Sequence, residues 1–295
     1  MSDDDSESSE AAIRDAFVRL ESAIPSPVRA RLEDWLAAMF AATSATDDSP
    51  QLDSYVRNLW SLFDNYTPSP DLDQRLSIAH GWWTIVNRQA LAVATLHQAG
   101  MASESIPIAR SLFEHSMALT VLSKDASDLA SGVTASTFAD FQAGLKALSN
   151  APQGGYSPVD VSQLVATLEA MQFDLSVPSE DEWPRRFSEH VRRLGVKDIT
   201  YPFYQGLCTF SHPTLAGVLG FVNWQDRFTP TKAPNNWILH GPAGVPLLWA
   251  VQSQCWAALA VDSMLPTALP WRPEVIGVVR DLDIPLADDL FGPLE

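Results

Sequence analysis

Residues 71–100 read DLDQRLSIAHGWWTIVNRQALAVATLHQAG, and their spacing decides the fold class. Leu72, Leu76, Ala79, Trp83, Val86, Ala90, Val93 and His97 recur at alternating steps of four and three, which on an α-helix aligns them as one apolar seam. Ser69-Pro70 offers a start, a capping side chain with proline at the first helical position, and Gly100 offers a stop. The seam predicts a central helix. His97 falls on it at the last turn, where a cation suits the helix dipole, and is read as structural. His80 lies off the seam beside Thr84, Asn87 and Arg88 and is read as a surface residue.

Helical periodicity continues on both sides, with almost no strand alternation. Upstream, residues 1–9 are acidic and without apolar periodicity, which predicts a disordered tail; helices follow over 10–24, from Ser26-Pro27 and from Ser49-Pro50. Downstream comes IPIARSLFEHSMALTVLS (106–123), an almost wholly apolar helix carrying Arg110 and Glu114. A weaker helical region over 127–149 precedes a Pro/Gly break that makes 150–158 a candidate linker, and another helix opens at Ser157-Pro158. The segment 183–194 places Phe187, Val191 and Leu194 on one face, and a helix from about Thr200 is expected to break at Ser211-His212 ahead of Pro213. Residues 225–246 hold several Pro, Gly and Asn residues and read as a long irregular loop, before core helices from Val245 and after Pro273. The fold expected is all-α, a bundle of long, largely antiparallel helices forming a single domain over residues 10–290.

Composition narrows the function classes. At 295 residues and 46% hydrophobic content the chain can bury a sizeable core. Its formal net charge of −17 repels phosphate backbones and anionic lipid surfaces, so nucleic acid is not an expected partner. The one basic face, Arg185, Arg186, Arg193 and Lys197, is read as a solvated face. The acidic start is the reverse of an export signal, and the apolar run Val245 to Leu265 carries Gln252, Ser253, Gln254 and Asp262, which suit a protein core and not hydrocarbon. No membrane association is expected. Cys208 and Cys255 make no disulfide framework and suit a reducing cytoplasm. Asp262 is read as lying at a fraying helix end, and most of the ten tryptophans, Trp35, Trp60, Trp83 and Trp256 among them, as core. Nothing in the sequence fixes an oligomeric state.

Motif chemistry is mostly absent. There is no Glu-x-x-His pair, zincin motif, Cys-rich zinc site, phosphate-binding glycine loop, dinucleotide fingerprint or nucleophile elbow, so neither a cofactor nor a metal is expected. What remains is polar side chains set in apolar helices. Arg110 projects into the apolar stripe of its helix with Glu114 one turn on, so the two can bond directly or can present an anion-binding guanidinium to a cavity. Tyr204, Cys208 and His212 recur at steps of four and share a face; with Ser211 they offer a proton carrier and hydrogen-bonding groups at the expected helix break. The candidate site is therefore Arg110, Glu114, Tyr204 and His212 as acting residues, with Ser211 and Cys208 as ligand-binding ones.

Arg110-Ser-Leu-Phe-Glu114 followed by Tyr204…Leu207…Ser211-His212-Pro213 is similar to an uncharacterised bacterial helical domain family of unknown function. That family has an Arg-x-x-x-Glu helix and a Tyr-x-x-Leu-Ser-x-x-x-His segment, and Cys208 stands where it commonly has Ser. The resemblance spans roughly Ile78 to Val222 and implies an all-helical fold and a polar cluster, with no activity attached. A looser resemblance is to HEPN-type helical RNA endonucleases, whose Arg-to-His spacing is met by Arg110 to His115 and equally by Arg185 to His190. On a regular helix the first pair points about 140° apart. The leading expectation is a cytosolic helical protein whose polar site binds or acts on a small anionic ligand. A metal-independent RNA endonuclease and a non-enzymatic interaction protein are the alternatives.

Overall fold

The computed structural model describes residues 49–67, 73–124, 186–211, 222–223, 229–230, 245–284 and 286–294, with isolated helical positions at 132, 133, 136 and 140. Its helices are α1 (Ser49–Asp64), α2 (Gln74–Gln98), α3 (Ile106–Lys124), α4 (Phe187–Arg193), α5 (Lys197–Ser211), α6 (Val245–Met264), α7 (Arg272–Asp281) and α8 (Ala287–Phe291). Among the described residues the only strand pairing is an antiparallel ladder that sets Val222 against Pro230 and Asn223 against Thr229. The fold is all-α. The expected tail at 1–9, the linker at 150–158 and most of the irregular loop at 225–246 lie outside the described residues.

The seam read in the sequence becomes the buried face of α2: Ala79, Trp83, Val86, Ala90 and Val93 are each 2% exposed or less. The helix ends in a Schellman turn, in which Gly100 N–H donates to the His97 carbonyl at 3.0 Å and Met101 N–H to Leu96 at 2.8 Å. Gly100 sits at φ +73°, where a side chain would be strained. A 3-10 turn, Ser103–Ser105, leads directly into α3. The two helices run antiparallel, because Arg75 at the start of α2 reaches the end of α3 and donates to the carbonyls of Leu122 and Ser123 at 2.8–3.0 Å. Helix α1 also opposes α2: Asp53 accepts from Gln98 at 3.0 Å at one end, while Phe63 packs edge-on against Trp83 at 4.9 Å at the other.

Helix α6 fills the space among these helices. Nearly every side chain from Leu247 to Asp262 is buried, on all sides of the helix, so it has no solvent face and needs walls all round. Phe113 of α3 meets Trp249 and Trp256 at 4.7 and 5.8 Å, and Trp83 of α2 meets Trp271 at 5.3 Å. One of its polar side chains reaches two neighbouring helices: Gln254 Nε2 donates to Asn87 Oδ1 at 3.0 Å and to the Val56 carbonyl at 3.3 Å. None of the described helices is long and apolar enough to cross a membrane.

Three sequence readings change. The cap of α2 is Asp73, whose carboxylate accepts from Leu76 N–H at 2.7 Å; Ser69 and Pro70 lie outside the described residues. Asn87, named in the sequence only as a neighbour of His80, is 1% exposed, with Gln254 giving its amide a partner inside the core. His80 is half-buried among Phe63, Tyr66 and Trp83 at 6.1–6.3 Å, and that burial lowers its pKa. Asp262 does not fray at a helix end: it is 3% exposed, accepts from Leu269 N–H at 2.6 Å and pairs with Arg272. It thereby folds the chain back so that α7 starts beside the end of α6. Replacing Asp262 with Ala should lower stability by about 2–4 kcal/mol, since a buried charge partner and a backbone donor lose their acceptor together. Urea denaturation of wild type and Asp262→Ala measures it, and a change within 0.5 kcal/mol, about the scatter of an ordinary surface substitution, would contradict the assigned role.

Candidate functional site

Helix α3 turns its apolar side toward α2 and α6, where Leu112, Phe113 and Met117 are fully buried, and that leaves Arg110 and Glu114 at its margin facing α4 and α5. One turn apart, they form an ion pair with Arg110 Nη2 to Glu114 Oε1 at 3.2 Å, their side chains 24% and 35% exposed. The pair is largely but not fully removed from water.

Tyr204 of α5 completes the cluster. Its ring stacks on Phe187 of α4 with centroids 4.0 Å apart and planes 21° apart, and Phe187 packs on Phe113 at 5.2 Å. This column of rings links the core to the site and fixes where the phenol points. The Tyr204 hydroxyl accepts from Arg110 Nη2 at 2.9 Å and donates to Glu114 Oε1 at 2.5 Å, while the guanidinium carbon lies 5.2 Å from the ring centroid. Two helices separated by about ninety residues of chain thus share one closed triangle of hydrogen bonds.

The electrostatics follow from that triangle. Burial pushes the Tyr204 pKa up, its bond to Glu114 pushes it further, and the bond from Arg110 offsets only part of this. Tyr204 is therefore a neutral donor throughout the physiological range. Burial alone would depress Arg110, but the Tyr204 hydroxyl and the Glu114 charge outweigh it, and its pKa is raised.

These three side chains line a cleft of about 430 Å³ together with Arg186, Phe187, Ser188, His190 and Tyr201. A cleft of that size falls within the range of small-molecule sites. Of the other residues singled out from sequence, Cys208 lies one turn beyond Tyr204, half-buried, its thiol close enough to act on both Tyr204 and Arg110. Ser211 ends α5 and donates its hydroxyl back to the Leu207 carbonyl at 2.6 Å; it does not line the cleft. His212 lies outside the described residues. His115 is not in the cleft lining either: its Nδ1–H donates to the Ser111 carbonyl at 2.7 Å, and Ser111 in turn accepts from Gln89 of α2 at 2.9 Å. The Arg110 to His115 spacing therefore does not bring both residues into this cleft.

Sequence reasoning missed Arg186, Ser188, His190 and Tyr201. For His190 a signal was present, because it falls between Phe187, Val191 and Leu194 at helical spacing and is 8% exposed, the same pattern that marked Arg110. Arg186 was read as part of a solvated face; it is exposed but lines the cleft. Among the described residues no group of three or more His, Cys, Asp or Glu side chains is arranged to hold a metal.

Residues 76–228 match a family of unknown function, DUF5677. The chain belongs to that family. The matched span runs from the first turn of α2 past the end of α5, so all eight lining residues of the cleft fall inside the DUF5677 region, while α1, α6, α7 and α8 lie outside it. No curated protein and no solved structure matches the chain.

Two outcomes test the triangle. Because the pair is partly exposed, Arg110→Met and Glu114→Leu should each cost about 1–3 kcal/mol, less than for a fully buried pair, and the double variant should cost clearly less than their sum in urea denaturation. Strict additivity would show that the two charges are uncoupled. The raised Tyr204 pKa also has a sign: above about pH 10 the unfolded chain loses the phenolic proton that the folded chain keeps, so stability falls as pH rises past that point. Comparing alkaline unfolding of wild type and Tyr204→Phe measures this, and the variant should show the shallower loss.

Proposed function

We propose that the cleft beside Arg110, Glu114 and Tyr204 binds a small ligand carrying an anionic group. The observation that carries this reading is the charge of the lining: two guanidinium groups, Arg110 and Arg186, face the cleft against one carboxylate. That carboxylate is already engaged, with Glu114 Oε1 receiving both Arg110 and the Tyr204 hydroxyl. In a chain of net charge −17 such a local excess of cations is unexpected for a solvated surface and suits an anion. Arg110 is held in place before any ligand arrives, which reduces the ordering cost of binding. Ser188 supplies a hydroxyl and Tyr201 an aromatic wall, so orientation and apolar contact are both available.

In this reading the protein works in the cytoplasm as a single helical domain over residues 10–290 behind an acidic tail at 1–9, which its two free cysteines and acidic composition support. His212 follows Ser211 directly and is the acting residue expected from sequence to stand near Tyr204. Titration calorimetry with inorganic phosphate and with a small carboxylate tests the proposal. Arg186→Ala, an exposed position whose loss should leave the fold intact, is expected to weaken binding about tenfold, the scale of one charge-assisted contact. Equal affinity of wild type and Arg186→Ala for both anions, or no binding of either, would sink it.

A further inference from the structure

We propose that one ordered water molecule is built into the core where α1, α2, α6 and α7 meet. A small cavity of about 10 Å³ lies there, walled by Leu59, Trp83, Val275 and other apolar residues, and also by Asn87, Gln254 and Trp271. That volume is close to the least that admits a single water, about 10–15 Å³, and is too small for any larger ligand. Size alone would not place a water, since apolar cavities stay dry. The polar lining does. Among the described residues the Trp271 indole Nε1–H and the Gln254 Oε1 atom are buried and have no hydrogen-bond partner in the protein, the first a donor and the second an acceptor.

Among the described residues the amide donors beside them are already engaged. Gln254 uses its amide nitrogen on Asn87 Oδ1 and on the Val56 carbonyl, and Asn87 uses its own amide nitrogen on the Trp83 carbonyl at 2.9 Å. A water in the cavity would accept from Trp271, donate to Gln254 Oε1 and have a second proton for the lone pair remaining on Asn87 Oδ1. Three hydrogen bonds is the usual complement of a buried water. The site extends the amide bridge between α2 and α6 to the start of α7, which otherwise meets α6 in this region through apolar contact and the Asp262–Arg272 pair.

A crystal structure of the full chain should show an isolated density peak within hydrogen-bonding distance of Trp271 Nε1 and Gln254 Oε1. The second measurement is a double-mutant cycle. Trp271→Phe removes the donor and should lower the folding equilibrium constant about tenfold; Gln254→Met should lower it further, because two direct bonds go as well. The double variant should lose less than the product of the two, since a shared water links residues that do not touch through hydrogen bonds. An empty cavity in the crystal with the indole turned to a protein carbonyl, or effects that multiply independently, would overturn the proposal. If either variant fails to fold, the wild-type density decides.

Discussion

A helix with no polar face must be enclosed, and the arrangement of the described residues follows from enclosing α6. From Leu247 to Asp262 almost all its side chains are withdrawn from water, and each large apolar one contributes on the order of 1.5–3 kcal/mol when fully buried. No single neighbour can cover such a surface. Helices α1, α2 and α3 form its walls, and α7 closes the end where Asp262 turns the chain back. Enclosure also brings an obligation: polar groups on α6 have to be satisfied from within. The hydrogen bond from Gln254 to Asn87 and the carboxylate of Asp262 meet part of it, and both tie α6 to one particular neighbour in one particular register.

The position of the site is a consequence of that packing. Once Phe113 is committed to Trp249 and Trp256, the geometry of an α-helix leaves Arg110 and Glu114 at the edge of the α3 interface, neither in the core nor fully in solvent. A fully exposed i to i+4 pair contributes a few tenths of a kcal/mol, and a fully buried one carries a desolvation penalty of several kcal/mol per ion. At the margin Arg110 keeps part of its hydration and gains directed hydrogen bonds. That intermediate state is the one the proposed anion site calls for, since the guanidinium would not first have to be taken out of a low-dielectric interior.

How much of this was legible depends on the range over which residues interact. The α2 seam and the buried side of α3 are periodic signals, local to a few turns, and they read correctly. So did Arg110 with Glu114, because their partnership lies within one helix. Asn87 and Gln254 are 167 residues apart; the sequence suits Gln254 to a core helix but names no partner for it, and only docking brings the two amides together. Asp262 misled for the same reason, its partners being supplied by a turn not yet formed in a linear reading. Arg186 stood in a basic cluster whose composition suggested a solvated face, and nothing local distinguishes a solvated guanidinium from one that borders a cleft.

Tyr204 changes the meaning of the pair it joins. An i to i+4 ion pair is complete within its own helix and would persist on an isolated α3. The hydroxyl of Tyr204, by accepting from Arg110 and donating to Glu114, makes the arrangement conditional on α5 being docked, and the docking depends in turn on Phe187 filling the space between Tyr204 and Phe113. The charge state is conditional too. A phenol held neutral can give its proton to Glu114 as a hydrogen bond and offer a lone pair to Arg110 at the same time, which an ionised oxygen could not do. The carboxylate is thereby partly screened from the cleft while the guanidinium stays aligned. A site constructed in this way has its cation positioned by tertiary structure, so whatever disturbs the contact between α4 and α5 disturbs the chemistry of the cleft with it.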